Sequence, residues 1–207
     1  MVSRRHFLQF STAALSTLGL SQLQFKDRAW RYARALASDT RHKRALLVGI
    51  NKYATPSLAN RSGVPELKGA VNDVELQRQL LIHRFGFLSE DICVLTDENA
   101  TRQAILDHYR DHLINGVGPN DVVVFHFSGH GSIVQDEVCD ETDCVNSTVV
   151  PYDYGLITDN GKVADIMGHT RFLLDWQIPT DNTIIVLDCC YSGGGKPGQT
   201  HTQASRT

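Results

Sequence analysis

Two short motifs hold the residue types that acyl transfer needs. His130 lies between glycines in Ser128-Gly129-His130-Gly131, and Cys190 follows a second cysteine in Asp188-Cys189-Cys190-Tyr191-Ser192-Gly193. An imidazole with an ordinary pKa near 6.5 can take up and return a proton at neutral pH. A thiol becomes a nucleophilic thiolate when such a ring stands beside it. The flanking glycines let the chain turn sharply at His130 and give a ligand close access. The backbone N–H groups of Gly131 and Cys190 are the expected donors to the oxyanion of an attacked amide, worth roughly 3 kcal/mol each. Taken singly, a cysteine is more often core packing and a histidine a satisfied polar residue. Cys189, one step back and facing the other way, fits that packing role. The pair His130 and Cys190 does not, because each terminates a separate predicted strand.

Those strands belong to an alternating pattern. Aliphatic runs at 45–50, 92–96, 122–127 and 183–188 read as strands buried on both faces, separated by amphipathic stretches. This is the pattern of βαβ units and a mainly parallel sheet. Leu67, Ala70, Val71, Val74, Leu76, Leu80 and Leu81 predict the buried stripe of a helix that stops near Phe85-Gly86. Thr101 is the expected N-cap of a second helix, with Ile105, Leu106, Tyr109 and Leu113 inward. A third helix is expected over about 163–176. Both chemical motifs then fall at carboxyl ends of parallel strands, the edge where sites form in α/β sheets.

Composition sets the outer bounds. A chain of 207 residues, 42% hydrophobic and 21% charged, has room for one ordinary globular domain. A net charge of −3 gives no basic face for nucleic acid. Residues 1–37 hold six basic side chains against Asp27, which leaves the remainder at −8. That basic start, Ser3-Arg4-Arg5-His6-Phe7-Leu8, leads into a short apolar run and Ala35-Leu36-Ala37. These are the parts of an export signal of twin-arginine type over 1–37, with an amphipathic helix or uncleaved anchor as the alternative. The expected location is therefore periplasmic or extracellular. Residues 194–207 lack apolar periodicity and read as a disordered tail.

Taken together, the two motifs resemble the catalytic blocks of caspase-like cysteine peptidases, most closely metacaspases and their bacterial relatives. The likeness extends through Arg44-Ala45-Leu46-Leu47-Val48-Gly49-Ile50-Asn51, Leu67-Lys68-Gly69-Ala70-Val71-Asn72-Asp73, Phe85-Gly86-Phe87, Leu95-Thr96-Asp97 and Val150-Pro151-Tyr152-Asp153, covering about 44–193. It implies an α/β three-layer caspase-like sandwich and a peptidase with Cys190 as nucleophile and His130 as its partner. It also implies cleavage after Arg or Lys, with Asp73, Ser128 and Asp188 lining the pocket for the basic side chain. Carboxylates in a partly dry pocket would account physically for that preference.

The chain departs from the family's pattern in three places. Ala70 stands where a cysteine is frequent, and Tyr191 where histidine commonly follows the nucleophile; neither change removes a reacting atom. Relatives continue into a small subunit, whereas seventeen residues follow Cys190. The strands of that subunit are therefore expected to be lacking, which leaves the nucleophile's strand as a sheet edge. A fragment, a partner or second copy covering the edge, and an inert binding module all remain open. Many family members need calcium, and Asp140, Asp143 and Asn146 in and beside the acidic stretch 135–143 offer oxygens without the spacing of a dedicated loop. Cys139 and Cys144 could pair as a small disulfide or stay as two free thiols. Zinc is not expected, since no second ligand pair accompanies them.

Overall fold

Apolar runs that alternate with amphipathic stretches must bury two sheet faces, and helices are what cover them. A computed structural model of the protein describes residues 42–54, 65–135 and 145–190. In chain order the elements are β1 (Lys43–Gly49), α1 (Ala70–Phe85), β2 (Ile92–Thr96), α2 (Arg102–His108), β3 (Val122–Ser128), β4 (Gly131–Gln135), β5 (Val145–Val149), β6 (Ile157–Thr158), β7 (Gly161–Lys162), β8 (Ile166–Met167), α3 (Gly168–Asp175) and β9 (Thr183–Asp188). The main sheet has the order β2-β1-β3-β9, with every pair parallel.

Burial follows position in that sheet. β1 and β3 lie in the middle and are buried almost throughout, whereas β2 and β9 are only partly buried. The expectation that all four strands are buried on both faces is therefore corrected for two of them. Each has a strand neighbour on one side only among the described residues, so its outer flank stays open.

Two layers of helix cover the sheet. On one face, a Cβ on Gly49 would lie 2.7 Å from Val74 Cγ2 and 2.8 Å from the Ala70 carbonyl, so only glycine admits α1 this close. Gly86 closes α1 in left-handed conformation (φ 67°), its N–H donating to the Ile82 carbonyl at 3.3 Å while Phe87 N–H reaches the Leu81 carbonyl at 3.1 Å. The buried Lys43 donates from Nζ to the Phe85 carbonyl, placing a cation at the negative end of α1. On the other face, Ile105, Leu106, Tyr109, Leu113, Leu174 and Ile178 pack on Leu46, Val48, Val123, Phe125, Phe127 and Leu187. Thr101 caps α2 as expected, accepting from Ala104 N–H at 3.2 Å, and the helix runs on as a π-helical turn over Tyr109–Ile114.

Two helix expectations need correction. Leu67 precedes α1, and Leu76 and Leu80 are exposed rather than part of its buried stripe. Leu76 stands roughly 200° around the helix from Val74, on the side away from the sheet. The helix expected over 163–176 is confined to α3. Its expected first part is extended, because Ile166 and Met167 pair with Val149 and Thr148 of β5. β4, β5 and β8 form a small antiparallel sheet, and β6 and β7 a hairpin around Gly161, whose φ of 101° suits glycine.

Candidate active site

Parallel register brings the ends of three strands side by side, pairing Gly49 with Ser128 and Ser128 with Asp188. Ile50 N–H donates to the Ser128 carbonyl at 3.0 Å, and Gly129 N–H to the Asp188 carbonyl at 3.3 Å. The two motifs therefore leave the sheet together. Beyond the strand ends they touch: a Cβ on Gly131 would fall 1.9 Å from the Cys190 carbonyl oxygen and 3.3 Å from Cys189 Sγ. No other residue fits at 131 while the backbone of Cys190 stays where it is.

Backbone contacts hold His130. Its N–H donates to the Tyr53 hydroxyl at 2.7 Å, and the two rings lie 5.2 Å apart with an interplanar angle of 48°. Burial raises the Tyr53 pKa, so this hydroxyl stays protonated. His130 Nε2 lies 2.8 Å from the Pro65 carbonyl. A carbonyl only accepts, so Nε2 carries the hydrogen and the neutral ring keeps its basic lone pair on Nδ1. The segment bearing Tyr53 is itself anchored. Asp97 Oδ1 accepts from Asn51 N–H (2.8 Å) and Lys52 N–H (2.9 Å), and Ala54 N–H reaches the Tyr152 carbonyl at 2.8 Å.

The Gly131 N–H is not used in pairing with β5. Val150 N–H donates to the His130 carbonyl at 3.0 Å, which makes Gly131 and Val149 a non-hydrogen-bonded pair. In such a pair the N–H points away from the partner strand.

The neighbouring cysteines differ. Cys190 is exposed at the end of β9, whereas Cys189 is partly buried and packs against the apolar core. Burial above all, with the negative charges of Cys190 and Asp188 adding to it, pushes the Cys189 thiol up to about 12. At neutral pH it is a protonated, poorly nucleophilic thiol.

The three residues expected to line a pocket do converge. Ser128 Oγ lies 3.4 Å from Asp73 Oδ2, tying the end of β3 to the first turn of α1, and Asp188 is the register partner of Ser128. Behind them is His126, two residues earlier on the same face of β3. Its ring is buried and feels both carboxylates.

Of the oxygens considered for calcium, Asn146 is buried on β5, while Asp140 and Asp143 lie outside the described residues. Among the described residues no group of three or more His, Cys, Asp or Glu side chains could hold a metal ion. Residues 1–37, Cys139, Cys144, Tyr191 and 194–207 also lie outside them.

Sequence reasoning missed Tyr53, Pro65 and His126. Pro65 acts through a backbone carbonyl, which has no side-chain signature. Tyr53 does so through a hydroxyl brought in by the loop after β1. His126 did carry a signal, as the one titratable residue inside an otherwise apolar strand.

Residues 43–195 match the family described as metacaspase, peptidase C14 domain. The chain belongs to the metacaspase family. Curated relatives agree. Metacaspase-1 of Schizosaccharomyces pombe is 35% identical over 73% of this chain and 34% of its own length. Metacaspase-4 of Arabidopsis thaliana is 35% identical over the same shares. Metacaspase-7 of that plant is 39% identical over 73% of this chain and 35% of its own. This metacaspase chain thus spans about a third of the length of those relatives. A crystal structure of a Geobacter sulfurreducens protein shares the fold at 23% identity, with a TM-score of 0.55 over 73% of this chain and 52% of that one.

Proposed function

We propose that this metacaspase domain is a cysteine endopeptidase that hydrolyses peptide bonds after Arg or Lys. The observation that carries this reading is the fit of Gly131 against the Cys190 backbone beside a His130 ring whose Nε2 is committed to the Pro65 carbonyl. His130 Nδ1 takes the Cys190 proton, and the thiolate attacks the scissile carbonyl carbon. The N–H groups of Gly131 and Cys190 hold the oxyanion that forms. Collapse breaks the C–N bond, the departing amine takes the proton from His130, and a thioester remains on Cys190. Water, deprotonated by the same ring, hydrolyses that thioester and restores the thiol. Asp73, which accepts from the Ser128 hydroxyl, and Asp188, on the strand beside it, draw in the substrate's guanidinium or ammonium group.

No step here needs calcium. In the same reading a small subunit, or a second copy of the chain, covers the open flank of β9, and the basic leader sends the protein out of the cytoplasm.

Cleavage of an arginyl fluorogenic peptide by the full chain tests the proposal. Cys190→Ala should abolish it, and Cys189→Ala should leave it within about twofold. Unchanged turnover by Cys190→Ala would overturn the reading. Cleavage confined to asparaginyl peptides would keep the dyad and reject the acidic pocket.

A further inference from the structure

We infer that His126 is a specificity-determining residue of this pocket, because its buried ring and the substrate's basic side chain compete for the same two carboxylates. The inference rests on the function proposed above and concerns a residue to which that proposal gives no role.

His126 lies behind the pocket by construction. In β3 it shares a face with Ser128 and is paired with Val186, which precedes the Asp188 position by the same two residues. The residue is 5% exposed, and Nδ1 is sealed from solvent with no hydrogen-bond partner among the described residues. A buried polar atom without a partner is costly, and such sites tend to mark function. The charged groups that act on the ring are Asp188 from β9 and Asp73 from α1. Its neighbour on β1 is Leu47 and its neighbour on β9 is Val186, neither charged. The buried residues of α1 are Ala70, Val74 and Leu81. Arg78, Glu75, Gln79 and His83 of that helix are engaged with one another or with Ser89 in exposed contacts.

Two forces therefore oppose each other at this ring. Burial lowers its pKa and is the stronger, while the two carboxylates raise it. Near neutral pH the ring is uncharged, and the pocket keeps its full negative charge. On acidification the ring takes a proton, and the imidazolium neutralises the carboxylates from behind. An arriving guanidinium does the same from the front, so each cation weakens the binding of the other. Linkage makes the effect reciprocal: protonation weakens substrate binding by the same factor as substrate disfavours protonation. An aliphatic or aromatic residue at 126 would leave the pocket acidic at every pH above the carboxylate range. Histidine makes acceptance of basic residues conditional on pH.

The experiment separates KM from kcat with the arginyl peptide, from about pH 7.5 to well below the ordinary imidazole pKa of about 6.5. For the unsubstituted chain, KM should rise about fivefold toward acid, the low end of typical coupling between sites. In His126→Gln that rise should vanish, while the dependence of kcat on pH stays that of the unsubstituted chain. A readout on the unsubstituted chain does not depend on the variant folding. The ring resonance of His126 is followed by NMR with and without agmatine, a guanidinium that has no peptide bond to cleave. Agmatine should lower the apparent pKa of the ring by about 0.7, the same fivefold factor read from the other side. A KM that stays flat with pH while the arginyl peptide is cleaved would overturn the inference and leave the proposed function standing. So would a ring titration that agmatine does not move. Absence of both arginyl cleavage and agmatine binding would remove the proposed function, and this inference with it.

Discussion

The two faces of the central sheet use alternate residues of the same strands for opposite ends. From β3, Val123, Phe125 and Phe127 face α2, the π-helical turn and α3, and Leu187 of β9 joins them in a dry core. The residues between them, His126 and Ser128 with Asp188 alongside, face α1 and gather titratable groups under the strand ends. The apolar face fixes where the strands lie, and strand pairing passes that precision to the polar face. Few polar contacts on the α1 side could hold Asp73, Ser128 and Asp188 together unaided, since the Ser128 to Asp73 contact is itself a long 3.4 Å.

Neighbouring substitutions on one strand should therefore fail in different ways. The largest stability loss is expected for Phe125→Ala, which empties a buried site against Tyr109, whose ring centroid lies 5.0 Å away. It should cost about 3–5 kcal/mol in denaturant unfolding, lowering activity only through the folded fraction. Equal stability of this variant and the parent chain would remove the division between the faces. Ser128→Ala should cost at most about 1 kcal/mol, since it deletes one long hydrogen bond. It should still raise KM for the arginyl peptide several-fold, by freeing the Asp73 carboxylate from its anchor. A drop in stability as large as that of Phe125→Ala, with KM unchanged, would make Ser128 a core residue.

The same contrast explains what could be read from the sequence. β1, β2, β3 and β9 were legible because continuous aliphatic runs are what a parallel sheet demands. The partial burial of β2 and β9 was not, because edge position depends on strand order, which no local pattern records. β4, β5 and β8 escaped for a related reason. β4 and β5 are as long as β2 but interrupt their aliphatic residues with polar ones, and β8 is two residues whose extended form comes from pairing with β5 rather than from their own propensity. In the site, glycines around His130 and the doubled cysteine advertised the groups proposed to react. The carbonyl of Pro65 could not be foreseen, since any residue supplies one and only tertiary structure chooses it. Leu76 and Leu80 misled in the other direction: apolar residues at near-helical spacing can fall on the open side of a helix.

The central claim is that Cys190, and not Cys189, is the thiol activated by His130. Its most direct test is the rate and site of alkylation by iodoacetamide at neutral pH, read by peptide mass spectrometry on the full chain. Rapid stoichiometric labelling at Cys190, slowed strongly in His130→Ala, with Cys189 unmodified, is the predicted result. Labelling at Cys189 first, or at Cys190 no faster than a free peptide thiol and indifferent to His130, would contradict it.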